Sequence, residues 1–251
     1  MHFLGLIVLI QIACVIHCIQ KGRNPWWILG IIVFPLIGSG AYVVLEVLPG
    51  GGARRGLRVA KDAAVKTIDP EREVRAARDA LDTADTAANR VAMGDALAGQ
   101  EKWTEAALHY REALAKAPLR DRASQMKLAR VTLEAGNAAE ARRLIETLPE
   151  SQSTAEKDRA SLLLARALAE LGDTGAAIAM LADIGTRMPG SEAQCREAAL
   201  LIEEGREAEA VVPLAEAERR ARRLDRFERL RDKDMHAWAE RTLAELRAKG
   251  F

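Results

Sequence analysis

The chain of 251 residues carries 37 lysine and arginine side chains against 36 aspartate and glutamate, a formal charge of +1, so the molecule as a whole has no electrostatic footprint for nucleic acid. Aromatic residues are only 4% and charged residues 29%, the profile of packed helices with solvated outer faces, which argues against a β-sandwich or barrel. Three cysteines, Cys14, Cys18 and Cys195, exclude a disulfide framework, and the first two lie in an apolar run where a thiol behaves as a small hydrophobe.

Residues 3–19 and 26–47 are two nearly unbroken apolar stretches. A helix of roughly 17 to 25 residues crosses a hydrocarbon core, so both qualify, the first barely. Between them Gln20-Lys21-Gly22-Arg23-Asn24-Pro25 is a polar turn, and Trp26 and Trp27 suit the headgroup level. The stretch does not read as a signal peptide, because Met1-His2 precedes the first run and basic residues follow it. A two-span hairpin over residues 1–49 is the expectation, with a single spanning second segment as the alternative. Arg54, Arg55, Arg58, Lys61 and Lys66 follow the second run, and the positive-inside rule keeps that flank, and with it both termini, in the cytoplasm. The expected location is therefore the cell inner membrane, crossed twice.

The residues Asn24-Pro25-Trp26-Trp27, Phe34-Pro35-Leu36-Ile37-Gly38 and Tyr42 resemble the N-terminal membrane-anchor segment of cardiolipin synthases of the phospholipase D family. The resemblance implies a shared anchor and no shared chemistry. That enzyme's twofold His-x-Lys-x4-Asp motif is absent, since none of His2, His17, His109 and His236 is followed two positions later by lysine. Pro35 is expected to kink the second span, and Gly38, Ser39 and Gly40 to let another helix approach closely.

Leu48-Pro49-Gly50-Gly51-Gly52 ends the second run and begins a flexible, basic linker over residues 50–69. Asp69-Pro70-Glu71 then reads as a helix start with aspartate as the cap, opening one extra helix over residues 71–84. From there the sequence repeats. A small residue, a helix break and an Ala-x3-large pair recur as Gly94 with Ala106 and Tyr110, Ala129 with Ala141 and Ile145, Ala165 with Ala177 and Leu181, and Ala198 with Ala210 and Leu214. The second-helix alanines are spaced by 35, 36 and 33 residues. Gly136-Asn137, Gly172-Asp173 and Gly205-Arg206 occupy matching breaks, Pro118 and Pro189 close the first and third repeats, and Ser153-x-x-Glu156 and Ser191-x-x-Gln194 read as capping boxes.

This register resembles the tetratricopeptide repeat, whose period is about 34 residues, over residues 86–222, most strongly over 94–118 and less so later, where aliphatic residues stand in aromatic positions. The resemblance implies an all-α architecture: a right-handed solenoid of about four helix pairs within residues 70–251, closed by an amphipathic end bearing Phe227, Leu230, Met235, Trp238, Leu243 and Leu246. It also implies that the first helix of each pair lines a concave, partner-binding groove. By register the groove positions are Asp95, then Met126, Arg130 and Glu134, then Leu162, Arg166 and Glu170, then Cys195 and Ile202. Arg130 and Arg166 are equivalent and could together grip a carboxylate. The competing reading pairs each with the glutamate four residues on, Glu134 and Glu170, as solvated decoration. The family's two-carboxylate clamp, built on lysine and asparagine, is not reproduced by Val91 and Asp95.

Residues 219–233 hold eight basic and three acidic side chains with no aromatic platform, which favours a solvated helix over a nucleic-acid or lipid-phosphate contact. No histidine or cysteine has triad or zinc-ligand spacing, and no phosphate-cradling glycine loop occurs. The expectation is a non-enzymatic, membrane-anchored adaptor that binds a protein or peptide partner and the lipid bilayer, with no nucleic acid, small-molecule substrate, cofactor or metal. The alternative is an accessory subunit of a membrane enzyme or envelope-assembly complex, in which the hairpin makes the essential contact.

Overall fold

The computed structural model describes residues 11, 12, 14–18, 28, 31, 69, 71–116, 121–224 and 232–251, which fall in two compact units, Met1–Pro70 and Glu71–Phe251. In the first unit residues 11, 12, 14–18, 28 and 31 are helical. Cys14, Cys18 and Ile31 are buried against one another, with Val15 and Ile28 packed on them. The Gln11 side-chain amide donates to the Ile31 carbonyl at 2.8 Å, which ties the first apolar run to the second. Ile12 and Ile16 point away from that contact and are 50% and 48% exposed. Among the described residues no helix is long and apolar enough to cross a membrane. Most of the two expected spans, their turn and the basic linker lie outside the described residues.

The second unit is helical throughout its described length, without strands among those residues. Its helices are α1 (Arg72–Thr83), α2 (Ala87–Ala98), α3 (Trp103–Lys116), α4 (Arg122–Glu134), α5 (Ala138–Glu146), α6 (Thr154–Glu170), α7 (Thr174–Gly185), α8 (Glu192–Glu203), α9 (Glu207–Ala221) and α10 (Lys233–Ala248). Short connections force chain neighbours to run antiparallel. Across α2 and α3, Asp85 just before α2 meets Lys116 at 3.0 Å, Arg90 meets Glu112, and the Tyr110 hydroxyl donates to Asp95 at 2.6 Å, so sequence numbers rise on one helix as they fall on the other.

The recurring small residues sit where the helices touch. Ala106, Ala129, Ala141, Ala165, Ala177, Ala198 and Ala210 are fully buried, as are Tyr110 and Leu214. At Gly94 a Cβ would lie 2.7 Å from the Tyr110 ring, so only glycine lets that ring close over α2. The core follows the chain as neighbouring clusters, from Val74, Met93, Leu97 and Tyr110 to Leu133, Ile145 and Leu163, Leu181 and Ile184, and Leu201, Leu214, Leu243 and Leu246. Each repeat therefore rests chiefly on its neighbours. The expected amphipathic end is α10, which buries Ala239, Leu243 and Leu246 and is fastened by Lys249 to Glu207 at 2.8 Å; Phe227 and Leu230 lie outside the described residues.

The helix breaks follow local chemistry, with three departures from expectation. Gly136, Gly172 and Gly205 take φ of 80°, 82° and 74°, and Asn137 and Asp173 then cap the following helices by accepting from Glu140 and Ala176 amides at 3.3 and 3.4 Å. The first repeat has Glu101 at this position, with φ 60°, a left-handed conformation disfavoured for a side chain with a Cβ. Glu101→Gly is expected to raise stability by about 0.5–1 kcal/mol, the relief of strain outweighing the extra freedom of the unfolded chain; urea unfolding followed by circular dichroism measures it.

The capping expectations are corrected at three places. α1 is preceded by Glu71, not Asp69, and Glu71 makes no capping hydrogen bond. Ser153 caps Glu156 at 3.4 Å, but the Glu156 carboxylate accepts from Ser151 at 2.6 Å instead of closing the box. Ser191 makes no cap, because its buried hydroxyl turns to the Ala217 carbonyl at 3.4 Å while Gln194 donates to Gly185 at 2.5 Å. At Ser191 a partner from a distant helix wins, whereas at Ser153 the cap forms and only the reciprocal bond goes to the neighbouring Ser151.

Several carboxylates titrate below their ordinary range. Arg90 and Lys116 hold Asp85 far down, the Ser124 hydroxyl and amide lower Asp121, and Arg187 lowers Asp183. A depressed folded pKa gives stability that is complete above the unfolded value of about 4 and is lost as pH falls through the folded one. The melting temperature is expected to drop as pH is lowered from about 5 to 2. Asp121→Asn, which keeps a capping side chain without a titrating group, should show a shallower drop in calorimetry.

Candidate partner-binding groove

Two cross-repeat ion pairs place the first helices of successive repeats side by side. Lys127 on α4 meets Asp95 on α2 at 2.7 Å, and Arg166 on α6 meets Glu134 on α4 at 2.9 Å. The helices α2, α4 and α6 thus form one layer, whose face carries a trough that α8 borders through Glu192 and Arg196. The middle of the trough is a pocket of about 620 Å³ lined by Met126, Arg130, Glu134, Leu162 and Arg166, joined by Lys127, Arg159, Leu163, Glu192 and Arg196. A smaller pocket of about 200 Å³ shares Met126 and Arg159 with it and adds Arg122, Ala123 and Glu156.

Of the nine residues assigned to the groove by register, five therefore line one pocket. Asp95 does not line it; its two oxygens are taken by Tyr110 and Lys127. Burial first, and then the hydrogen bond to Asp95, push the Tyr110 hydroxyl well above its ordinary pKa. Glu170 is exposed at the end of α6 and Ile202 packs against the last core cluster, both away from the pocket. Cys195 is 4% exposed within that same cluster, and burial pushes its thiol up to about 11, which makes it a packing residue with little thiolate character.

The pairing of the arginines departs from the same-helix alternative. Arg166 reaches across to Glu134 of the preceding repeat, a partner 32 positions away that periodicity within one helix does not reveal. Arg130 is exposed and makes no ion pair or hydrogen bond among the described residues. Arg159 missed selection because it stands one turn before the chosen face of α6, and it too has no such partner among the described residues. Two uncommitted guanidinium groups thus border an apolar floor of Met126, Leu162 and Leu163, an arrangement that suits planar, bidentate recognition of carboxylates beside aliphatic contact.

The basic strip is largely spent on structure over its described part. Arg222 pairs with Glu218 at 2.7 Å and Arg219 with Glu216, and Arg220 donates to backbone carbonyls. His109 lies 3.7 Å from Glu112 and 3.4 Å from Arg90, and burial lowers its pKa. His236 is 5% exposed, and neither ring nitrogen has a hydrogen-bond partner among the described residues.

The family model described as tetratricopeptide repeat matches residues 97–157, from the end of α2 through α3, α4 and α5 into α6. That part of the chain is similar to the tetratricopeptide repeat. Curated proteins contain no match to the chain.

Proposed function

We propose that the chain is a membrane-anchored adaptor. Its N-terminal hairpin, residues 1–49, holds it at the cell inner membrane, and residues 70–251 form a right-handed tetratricopeptide-type solenoid on the cytoplasmic side that binds a protein or peptide partner in the trough. The resemblance of residues 24–42 to a cardiolipin synthase anchor supports the hairpin, as do the length and apolarity of the two runs. So does the packing of Cys14 and Cys18 inward while Ile12 and Ile16 face outward, since apolar side chains on opposite faces of a helix suit a bilayer. The observation that carries the adaptor reading is the trough itself, with Arg130 and Arg159 uncommitted over an apolar floor. The adaptor needs no catalytic step, cofactor or metal; anchoring raises the local concentration of whatever the trough accepts.

A second reading draws on Ile12 and Ile16. Their exposed face could seat on another membrane protein, which makes the chain an accessory subunit whose hairpin supplies the essential contact. Exchanging residues 1–49 for an unrelated two-span anchor separates the two. As an adaptor the chain keeps its membrane fractionation and its partner after the exchange, and loses the partner with Arg130→Ala combined with Arg166→Ala. Loss of the partner on exchange alone, with the arginine pair indifferent, refutes the adaptor.

A further inference from the structure

Beside the trough lies a second hollow that the repeat pattern does not account for. It measures about 680 Å³ and sits between the N-terminal half of α8 and the start of α10, with Met188, Ala199, Met235 and Trp238 among its walls. Glu192 and Arg196 line both this hollow and the trough, so the two share a rim. Their character differs. The trough is bordered by five cationic side chains against two carboxylates, and Arg166 and Arg196 are already paired, with Glu134 and Glu192. Arg130 and Arg159 supply uncompensated positive charge. The hollow instead presents thioethers and an indole, flexible and aromatic surfaces of the kind that take a large apolar anchor.

We propose that trough and hollow together bind one extended acidic segment of a partner protein, its carboxylates lying along Arg130 and Arg159 and a bulky apolar side chain near one end seated against Trp238 and Met235. This names the partner's chemistry and rests on the adaptor reading. Charge complementarity selects an acidic segment over a basic or neutral one, and the shared Glu192 and Arg196 rim makes one continuous ligand, in place of two, the natural occupant.

The test uses the full chain in detergent micelles and fluorescence anisotropy with three short fluorescein-labelled peptides. The first alternates aspartate and glutamate and carries phenylalanine near one end; the second has serine for the phenylalanine; the third has lysine for every carboxylate. The first should bind, and each of the others should be weaker by about tenfold or more. Arg130→Glu with Arg159→Glu should weaken the first by about tenfold with an unchanged melting curve, because neither arginine holds an ion pair to lose. Ala199→Trp fills the hollow and should bring the first and second peptides to equal affinity; if that variant does not fold, the comparison of the two peptides on the unaltered chain still decides. Equal binding of the acidic and lysine peptides, of the phenylalanine and serine peptides, or indifference to the charge reversal overturns the proposal. If no peptide binds while the trough is still occupied by a partner in the cell, this inference fails and the adaptor reading stands; if the trough is empty in the cell as well, both fail.

Discussion

Replacing Arg220 with alanine is expected to destabilise the array by about 2–4 kcal/mol, because it removes several charge-assisted hydrogen bonds at once. The guanidinium on α9 donates to the carbonyls of Met188 at 2.8 Å, Gly190 at 2.9 Å and Gly185 at 2.7 Å, and its Nε to Glu216 at 2.6 Å. These carbonyls include the C-terminal end of α7 and the turn into α8, where the helix leaves acceptors unanswered and its dipole is negative. A side chain from the second helix of the next pair thus closes the end of α7. Arg220→Lys should recover less than half of the loss, since an ammonium cannot reproduce the planar fork. Hydrogen exchange should localise the effect, with amides of the turn between α7 and α8 opening first. Unaltered protection there would mean that these carbonyls are served equally well by water.

Ala177→Phe is the second large change, expected to cost about 1–3 kcal/mol and to lower the melting temperature by several degrees. Ala177 has no exposed surface, and it stands one turn before Leu181, itself 1% exposed in the cluster with Ala165 and Ile184. A phenyl ring has no empty volume to enter, so α6 and α7 must separate. In an array whose repeats lean on their neighbours, that separation also loosens α8. Ala177→Ser, similar in size, should cost far less. An unchanged melting temperature for the phenylalanine variant would show that the small-residue register does not mark the helix contacts.

The helix pairs were legible in the sequence because close packing imposes a constraint that letters record. A facing position that admits only glycine or alanine shows itself as Gly94, Ala129, Ala165 and Ala198 against Ala106, Ala141, Ala177 and Ala210, all buried. The layer of first helices followed from that register, and with it the placing of Met126, Arg130, Glu134, Leu162 and Arg166 on one trough. What stayed hidden depends on geometry between distant residues. Glu134 looks like a same-helix partner of Arg130 and is the partner of Arg166. Ser191 reads as a cap and serves a carbonyl 26 positions away. Arg220 reads as one charge in a basic strip and is a clasp on α7. Glu101 occupies a left-handed turn that no glycine announces. The hollow beside Trp238 arises where a helix outside the repeat, α10, meets α8, and periodicity is silent about such a junction.

As an adaptor the chain must receive its partner on the face of α4, α6 and α8. A photo-reactive benzoylphenylalanine placed at Leu162, on the floor of the trough, tests it in intact cells against the same group at Leu108, which is 53% exposed on α3 and lies outside the trough. On illumination a covalent adduct to a partner protein is expected from the Leu162 position, absent from the Leu108 position and abolished by Arg130→Glu with Arg159→Glu. No adduct from Leu162, or the same adduct from both positions with and without the charge reversal, would contradict it.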